Sequence, residues 1–389
     1  MKKAGILHDG RTAQRSGAPA KCSSPRHLRS PRAALAVTIL LTAFISSALA
    51  RAQGVGYLVP APATDSVQAD PEYGCDTPAL PVISLGVPSK YRQDDPRRAT
   101  LDESANETYS KAVQPLREYG KTLAKIANAY VKSNPKNPAA AACGLTWLNH
   151  WAAAEAMTDM RSQQASLNQG QAVAGFALAY LQIRNAPALA KEQKKRVEDW
   201  LKVLGRQVAA SMDKNRGTSG KNNHRYWNGL SAIAAGVATG DKWLIDWGAD
   251  SARIGISQIA PDGTLPLELK RAQRARDYHT FATEPLIAIA ELAHTQGIDL
   301  YAENKHALAR LVSRVVESFG DPSFFEKITG SKQEPYPGDG SVPGYRIAWL
   351  EIYQSRFPSP KNEALLATKR PVASSGIGGD MTLLFHDKD

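Results

Sequence analysis

Cysteine is scarce in this chain: three in 389 residues, at positions 22, 75 and 143. So few, and without zinc-ligand spacing, exclude a disulfide-framed miniature fold and a cysteine-built metal centre. Other chemistries lack their usual signatures. There is no Walker A loop, no dinucleotide fingerprint behind a strand, no G-x-S-x-G elbow and no H-E-x-x-H pair. Period-2 alternation, the mark of half-buried strands, is almost missing; Met381 to Phe385 is the best strand candidate. Beyond residue 52 no apolar run is long enough to cross a bilayer.

The formal net charge of +11 invites a polyanionic partner, but its distribution narrows the choice. Residues 1–52 hold nine Lys and Arg against one acidic residue. The remainder holds 39 basic and 36 acidic residues, an excess of only +3. A body with that excess lacks the general basic character of a nucleic-acid binder, so no nucleic-acid partner is expected. It still allows a local basic cleft for an acidic molecule or polymer.

The early charge belongs to a leader. Basic residues from Lys21 to Arg32 precede an apolar segment, Ala33 to Ala50, that ends in Ser46-Ser47-Ala48-Leu49-Ala50. This order reads as a secretory signal peptide over residues 1–52, removed after Ala50 or Ala52, rather than as a membrane anchor. A periplasmic location is the corresponding expectation. Cys22 leaves with the leader, and the exported chain keeps Cys75 and Cys143. In an oxidising compartment an isolated pair is expected to form a disulfide. Closing so long a loop contributes about 4 kcal/mol on the chain-entropy model.

Residues 53–88 are rich in proline and glycine and read as an extended arm. Residues 90–105, with mixed charge and one proline, read as a loop suited to a lid, so the arm as a whole spans 53–105. Helical periodicity then predicts helices over Asn106 to Ser133, with Pro115 kinking or splitting the first, Pro138 to Met157, Ala165 to Ile183 and Lys191 to Met212. It continues over Tyr226 to Thr239, Lys242 to Ile259, Tyr278 to Gln296 and Asn304 to Phe319. Ala165 to Ile183 is nearly uncharged, whereas Lys191 to Met212 carries one stripe, Val197, Trp200, Leu201, Leu204 and Val208. Eight or more helices with short connections predict one large all-α domain over 53–389.

Two stretches carry candidate chemistry. Asn222-Asn223-His224-Arg225-Tyr226-Trp227 stands between a Lys- and Gly-rich loop and an apolar helical run. An Asn there serves as an N-cap. A His in the first turn has its pKa lowered by the helix dipole, so its imidazole tends to be neutral. In the second stretch Arg271, Arg274 and Tyr278 fall at i, i+3 and i+7, one face if the segment is helical. Arg271 beside Tyr278 would then favour the ionised phenol. Arg274 and Arg276 are expected on a solvated basic face. The six histidines of the exported chain are scattered, so no metal or cofactor is expected.

Three segments together are more specific: Ser89-Lys90-Tyr91, Asn222-Asn223-His224-x-Tyr226-Trp227, and Gly263-x-Leu265-Pro266-x-Glu268-Leu269-Lys270-Arg271-x-Gln273-Arg274-Ala275-x-x-Tyr278-His279. They resemble the alginate lyases of polysaccharide lyase family five. The resemblance extends over the exported chain, with Ala348-Trp349-Leu350-Glu351 and the two cysteines. It implies an incomplete α/α toroid with a deep cleft, and β-elimination on poly-β-D-mannuronate. It places the catalytic roles on Asn223, His224, Arg271 and Tyr278. Substrate contacts fall on Ser89, Lys90, Tyr91, Gln163, Gln164 and Trp227. The implied partner is an acidic polysaccharide, with alginate export machinery as a further contact and a monomeric state.

The residues suit that chemistry. Removing the C5 proton of a 4-O-linked uronate needs the neighbouring carboxylate neutralised, which Arg271 and Asn223 can do. His224 or Tyr278 takes the proton, and Tyr278 can return one to the departing O4. Two other readings use the same cleft. A glycoside hydrolase would need paired carboxylates, and the acidic residues Asp246, Asp262, Glu268 and Asp277 do not form a pair within the matched segments. A non-catalytic binding or assembly protein would tolerate loss of Tyr278.

Overall fold

The computed structural model of the protein describes residues 54–386 apart from Pro71; the expected leader, with Cys22, lies outside the described residues. The described helices, in order, are α1 (Glu103–Lys132), α2 (Pro138–Ala153), α3 (Gln163–Ile183), α4 (Lys191–Lys214), α5 (Asn223–Thr239), α6 (Lys242–Gln258) and α7 (Pro266–Leu269). They continue with α8 (Ala275–His294), α9 (Glu303–Gly320), α10 (Ser323–Thr329), α11 (Gly344–Ile347), α12 (Trp349–Arg356), α13 (Pro360–Ala367) and α14 (Met381–Phe385). Within α9, Asn304, Lys305 and His306 hold positive φ, so the right-handed helix runs from Ala307.

Sequence pattern sorts the long helices into two layers. α3 buries 16 of its 21 residues and α5 buries 15 of its 17, as helices apolar on all sides must. α4 buries 8 of its 24, along the predicted stripe. The inner layer therefore runs α1, α3, α5, α8, each packed on the next, with α12 against α8 and α14 joining α12 to α1. α2, α4, α6 and α9 cover it from outside. The two layers approach closely where side chains are absent. A Cβ on Gly248 of α6 would stand 2.7 Å from the carbonyl oxygen of Gly229 in α5.

The all-α expectation holds, with four two-residue strands among the described residues. β1 (Ser84–Leu85) pairs in parallel with β2 (Asp159–Met160), and β3 (Ala373–Ser374) pairs antiparallel with β4 (Gly379–Asp380). Cys75 and Cys143 form the expected disulfide, with Cα atoms 5.6 Å apart, tying the arm to α2. No described helix is long and apolar enough to cross a membrane.

Three expectations need correction. α1 starts at Glu103, inside the stretch read as loop, because the Asp102 side chain accepts the Ala105 N–H and caps it. α1 also continues unbroken through Pro115, whose exposed position lets solvent take the carbonyl that proline leaves unpaired. Met381 to Phe385 is helix α14 rather than a strand: the Asp380 carboxylate accepts the Leu383 N–H and starts a helical turn.

Candidate active site

The site forms where the arm crosses the starts of α3 and α5 and the α7–α8 connection. Local sequence fixes each part. Asn222 caps α5, its side chain accepting the His224 N–H at 3.1 Å. Asn223 is then the first residue of α5 and is fully buried. The turn at Pro261 to Pro266 depends on Gly263, whose φ of +83° favours glycine. Asp262 braces that turn by accepting the Thr264 N–H at 3.0 Å. His279 pins it to α8, accepting the Leu265 N–H on Nε2 at 2.8 Å. Arg271 is thereby held opposite α5.

The arm closes the site from the other side. Residues 90–102 fold back on themselves, with Arg92 N–H donating to Thr100 O and Asp102 N–H to Lys90 O. Asp95 accepts the N–H groups of Arg97, Ala99 and Thr100, which hold its carboxyl well below the usual range. The tip is tethered across the cleft: Arg271 donates to Arg98 O, and Arg274 donates to Ala99 O at 2.9 Å.

The result is a cavity of about 690 Å³. Eight of the ten expected site residues line it: Ser89, Lys90, Tyr91, Gln163, Gln164, His224, Arg271 and Tyr278. Asn223 lies beneath it, its Nδ2 donating to both carboxylate oxygens of Glu268 at 3.1 and 2.9 Å. Trp227 stands apart, behind Phe281, and lines a neighbouring cavity of about 310 Å³. Its Nε1–H donates to Phe281 O at 3.2 Å. Six cations (Lys90, Arg97, Arg98, Arg117, Lys270 and Arg271) line the larger cavity, and no Asp or Glu is among its described lining residues.

At its centre the Tyr278 hydroxyl lies 2.6 Å from the Tyr91 hydroxyl and 2.6 Å from Arg271 Nη2. The Arg271 guanidinium also stacks 3.8 Å from the centre of the Tyr278 ring. Burial drives the Tyr278 phenol well above its ordinary pKa, and Tyr91 adds to the rise against the pull of Arg271. The expectation of a readily ionised Tyr278 is corrected accordingly. Burial also works against ionising Tyr91, but Lys90, the Tyr278 hydroxyl, Arg274 and Arg271 outweigh it and bring that phenol below its ordinary value. Two hydroxyls this close titrate as a pair, so loss of one proton makes the other harder to remove.

His224 has a pKa lowered to about 4, by burial first and then by Arg271 and Lys90, so it is neutral at neutral pH. The expected neutrality holds, with burial as its largest cause and the positive charges of Arg271 and Lys90 adding to it. Its Nδ1 is buried without a hydrogen-bond partner.

A family model described as Alginate lyase matches residues 86–325, from just before Ser89 to beyond α9. The chain belongs to the alginate lyase family. It is 34% identical over 297 residues to a polysaccharide lyase of Stenotrophomonas maltophilia, covering 75% of this chain and 85% of that one. It is 33% identical to an alginate lyase of Pseudomonas fluorescens, covering 84% and 90% of the two chains. Among solved structures it superposes on alginate lyase A1-III complexed with a tetrasaccharide with a TM-score of 0.70 at 28% identity, over 84% of this chain and 90% of that one. The same A1-III lyase from Sphingomonas species A1 gives a TM-score of 0.68. The two helical layers of this lyase are thus those of an α/α toroid.

Two further expectations about the lyase are corrected. Arg271 and Tyr278 do not share a helical face, because Arg271 precedes α8 and Ala272 to Arg274 form a 3-10 turn. They meet because that turn folds the guanidinium back over the ring. Arg274 and Arg276 are not a solvated face: Arg274 pairs with Glu334 at 2.9 Å, and buried Arg276 donates to Glu334 O at 2.6 Å. Glu268, expected from the sequence only as an unpaired acidic residue, stands in the structure as the buried partner of Asn223. Its signal was available: a lone carboxyl among Leu265, Leu267 and Leu269 in a short turn is bound for burial, and a buried carboxyl needs a donor.

Proposed function

We propose that this alginate lyase cleaves poly-β-D-mannuronate by β-elimination, leaving oligosaccharides with a 4-deoxy unsaturated uronate at the new non-reducing end. The observation that carries the reading is the Tyr278 hydroxyl, 2.6 Å from both Arg271 and the Tyr91 hydroxyl in a cleft lined by cations. In the reaction the C5 proton passes to a base, its electron pair forms the C4=C5 bond, and O4 leaves with a proton. Arg271, with Asn223 beneath, neutralises the carboxylate that makes C5 acidic. In mannuronate the C5 hydrogen and O4 share one ring face, so one group can remove the first proton and return it to O4. The coupled phenols of Tyr91 and Tyr278 suit that double task, and neutral His224 then polarises. In guluronate the two atoms lie on opposite faces, which a single phenol cannot serve.

Hydrolysis finds no support, since no described carboxylate pair lines the cleft. The test is incubation of residues 53–389 with polymannuronate, polyguluronate and other polyuronates, followed by ultraviolet absorbance of the new double bond. Product from polymannuronate is expected; absorbance only from polyguluronate, or none from any substrate, sinks the reading. We also propose export to the periplasm, where an acidic polysaccharide and its export machinery would be met. The support is the leader pattern of residues 1–52. Amino-terminal sequencing of the mature protein beginning upstream of Ala33 would overturn it.

A further inference from the structure

Glu268 has no role in the chemistry above, yet its carboxyl is wholly buried and every hydrogen bond recorded for it comes from one residue. The Asn223 N–H donates to Oε1 at 2.8 Å, and the Asn223 Nδ2 donates to Oε1 and Oε2 at 3.1 and 2.9 Å. An ionised carboxylate only accepts, so it turns the donating end of the amide toward itself. The other end, Asn223 Oδ1, is left buried without any partner. The neighbours on either side of Asn223, Asn222 and His224, both line the cleft. A lone acceptor oxygen is the wrong group to meet a uronate carboxylate, because both atoms present lone pairs.

A protonated Glu268 reverses this. Its O–H donates to Asn223 Oδ1, its other oxygen still accepts the Asn223 N–H, and Nδ2 is released to the opposite side. We propose that Glu268 is a positioning residue that decides which end of the Asn223 amide meets the substrate carboxylate, and that it takes up a proton from solvent as substrate binds. This rests on the reading that Asn223 meets a uronate carboxylate.

The charged and titratable groups acting on this carboxyl are few. Arg271 faces it from the loop before α8, and the Tyr226 phenol faces it from α5. Burial pushes Glu268 up to about 7, against the Asn223 N–H, the Asn223 amide and Arg271, so both forms are present near neutral pH. The negative charge of an arriving uronate favours the protonated form further.

Glu268→Gln supplies the test, since its own amide can donate to Asn223 Oδ1 and accept the Asn223 N–H at every pH. For wild type, kcat/KM on polymannuronate is expected to fall by about tenfold per pH unit above the Glu268 transition. Glu268→Gln should lose that fall relative to its own maximum, whereas Glu268→Leu should be impaired at all pH values. A Glu268→Gln variant with wild-type melting temperature and an unaltered alkaline limb would overturn the proposal.

A second measurement does not depend on turnover. Calorimetry of polymannuronate binding to Tyr278→Phe at pH 8, in two buffers of different ionisation enthalpy, should report uptake of about one proton per site. Adding Glu268→Gln should abolish it. Binding without uptake in Tyr278→Phe, or uptake that survives Glu268→Gln, counts against Glu268 alone. Failure of wild type to form unsaturated product from polymannuronate instead removes the functional reading.

Discussion

Near the starts of α5 and α8 stand two histidines that look alike by titration and differ in their hydrogen bonding. Burial lowers His224 and His279 alike to about 4. His279 spends both ring nitrogens inside the protein: Nε2 accepts the Leu265 N–H at 2.8 Å, and Nδ1–H donates to Ala275 O at 2.7 Å. Its ring also packs 4.7 Å from that of Phe325. His224 keeps Nδ1 unpartnered and lines the cleft. A depressed pKa therefore marks burial, and only the free valence separates a group available to substrate from a structural pin.

The largest expected effect lies on the cleft side of that contrast. Tyr278→Phe keeps the ring and removes only the hydroxyl, so kcat should fall by about 10²–10⁴-fold with little change in polymannuronate binding. Arg271→Ala should lose binding as well as rate, because it also removes the partner of the ground-state carboxylate. Steady-state formation of unsaturated product and calorimetric binding distinguish the two. Near wild-type turnover in Tyr278→Phe would remove the chemistry from this cleft.

The histidines themselves come next. His279→Ala should lower stability by about 2–4 kcal/mol, since it opens a cavity and leaves the buried Leu265 N–H unpaired. His224→Ala should leave the denaturation midpoint near wild type and reduce turnover less than Tyr278→Phe does. If the two histidine variants are equally destabilised, the contrast between pin and free valence fails. If His224→Ala is as slow as Tyr278→Phe, His224 is the base.

A smaller effect tests burial without catalysis. Glu284 of α8 accepts the Ser374 hydroxyl at 2.6 Å, and burial pushes it up to about 7 against Ser374 and Arg346. A carboxyl raised on folding contributes stability that is full below its unfolded pKa, about 4.5, and lost as pH rises through about 7. The lowered His279 acts with the opposite sign: its contribution is full above about 6.5 and lost as pH falls toward about 4. Glu284→Gln, which can still accept from Ser374, should therefore raise the melting temperature by a few degrees at pH 8 and by much less at pH 5. An equal change at both values would refute the assignment.

The smallest effect belongs to the arm. Lys90 Nζ lies 5.3 Å from the Tyr91 ring centre and 5.7 Å from that of Tyr109, close enough to add positive charge to the site. Lys90→Ala should weaken polymannuronate binding a few-fold at low salt and less at high salt, because the contribution is Coulombic and screened. A loss independent of salt would mean that Lys90 acts through packing.

Much of this molecule was legible in the order of residues. Helix layers followed from whether apolar residues cover all sides, as in Ala165 to Ile183, or one stripe, as in Lys191 to Met212, because a helix can bury only the faces it has made apolar. Asn223, His224, Arg271 and Tyr278 stood out because they lie in specific segments, and the Cys75–Cys143 bond was legible because no other cysteine follows residue 52. Met381 to Phe385 was misread because five residues are too few for a period of 2 to be told from one of 3.6.

Only tertiary structure decided how these groups act on one another. The Tyr91–Tyr278 hydrogen bond joins residues 187 apart, and the Asn223–Glu268 bonds join residues 45 apart. Local spacing placed Tyr278 on the same helical face as Arg271, but it is a 3-10 turn that brings them together. Protonation states depend on the same closure, since desolvation and the charges of Lys90, Arg271 and Arg274 act through space and not along the chain.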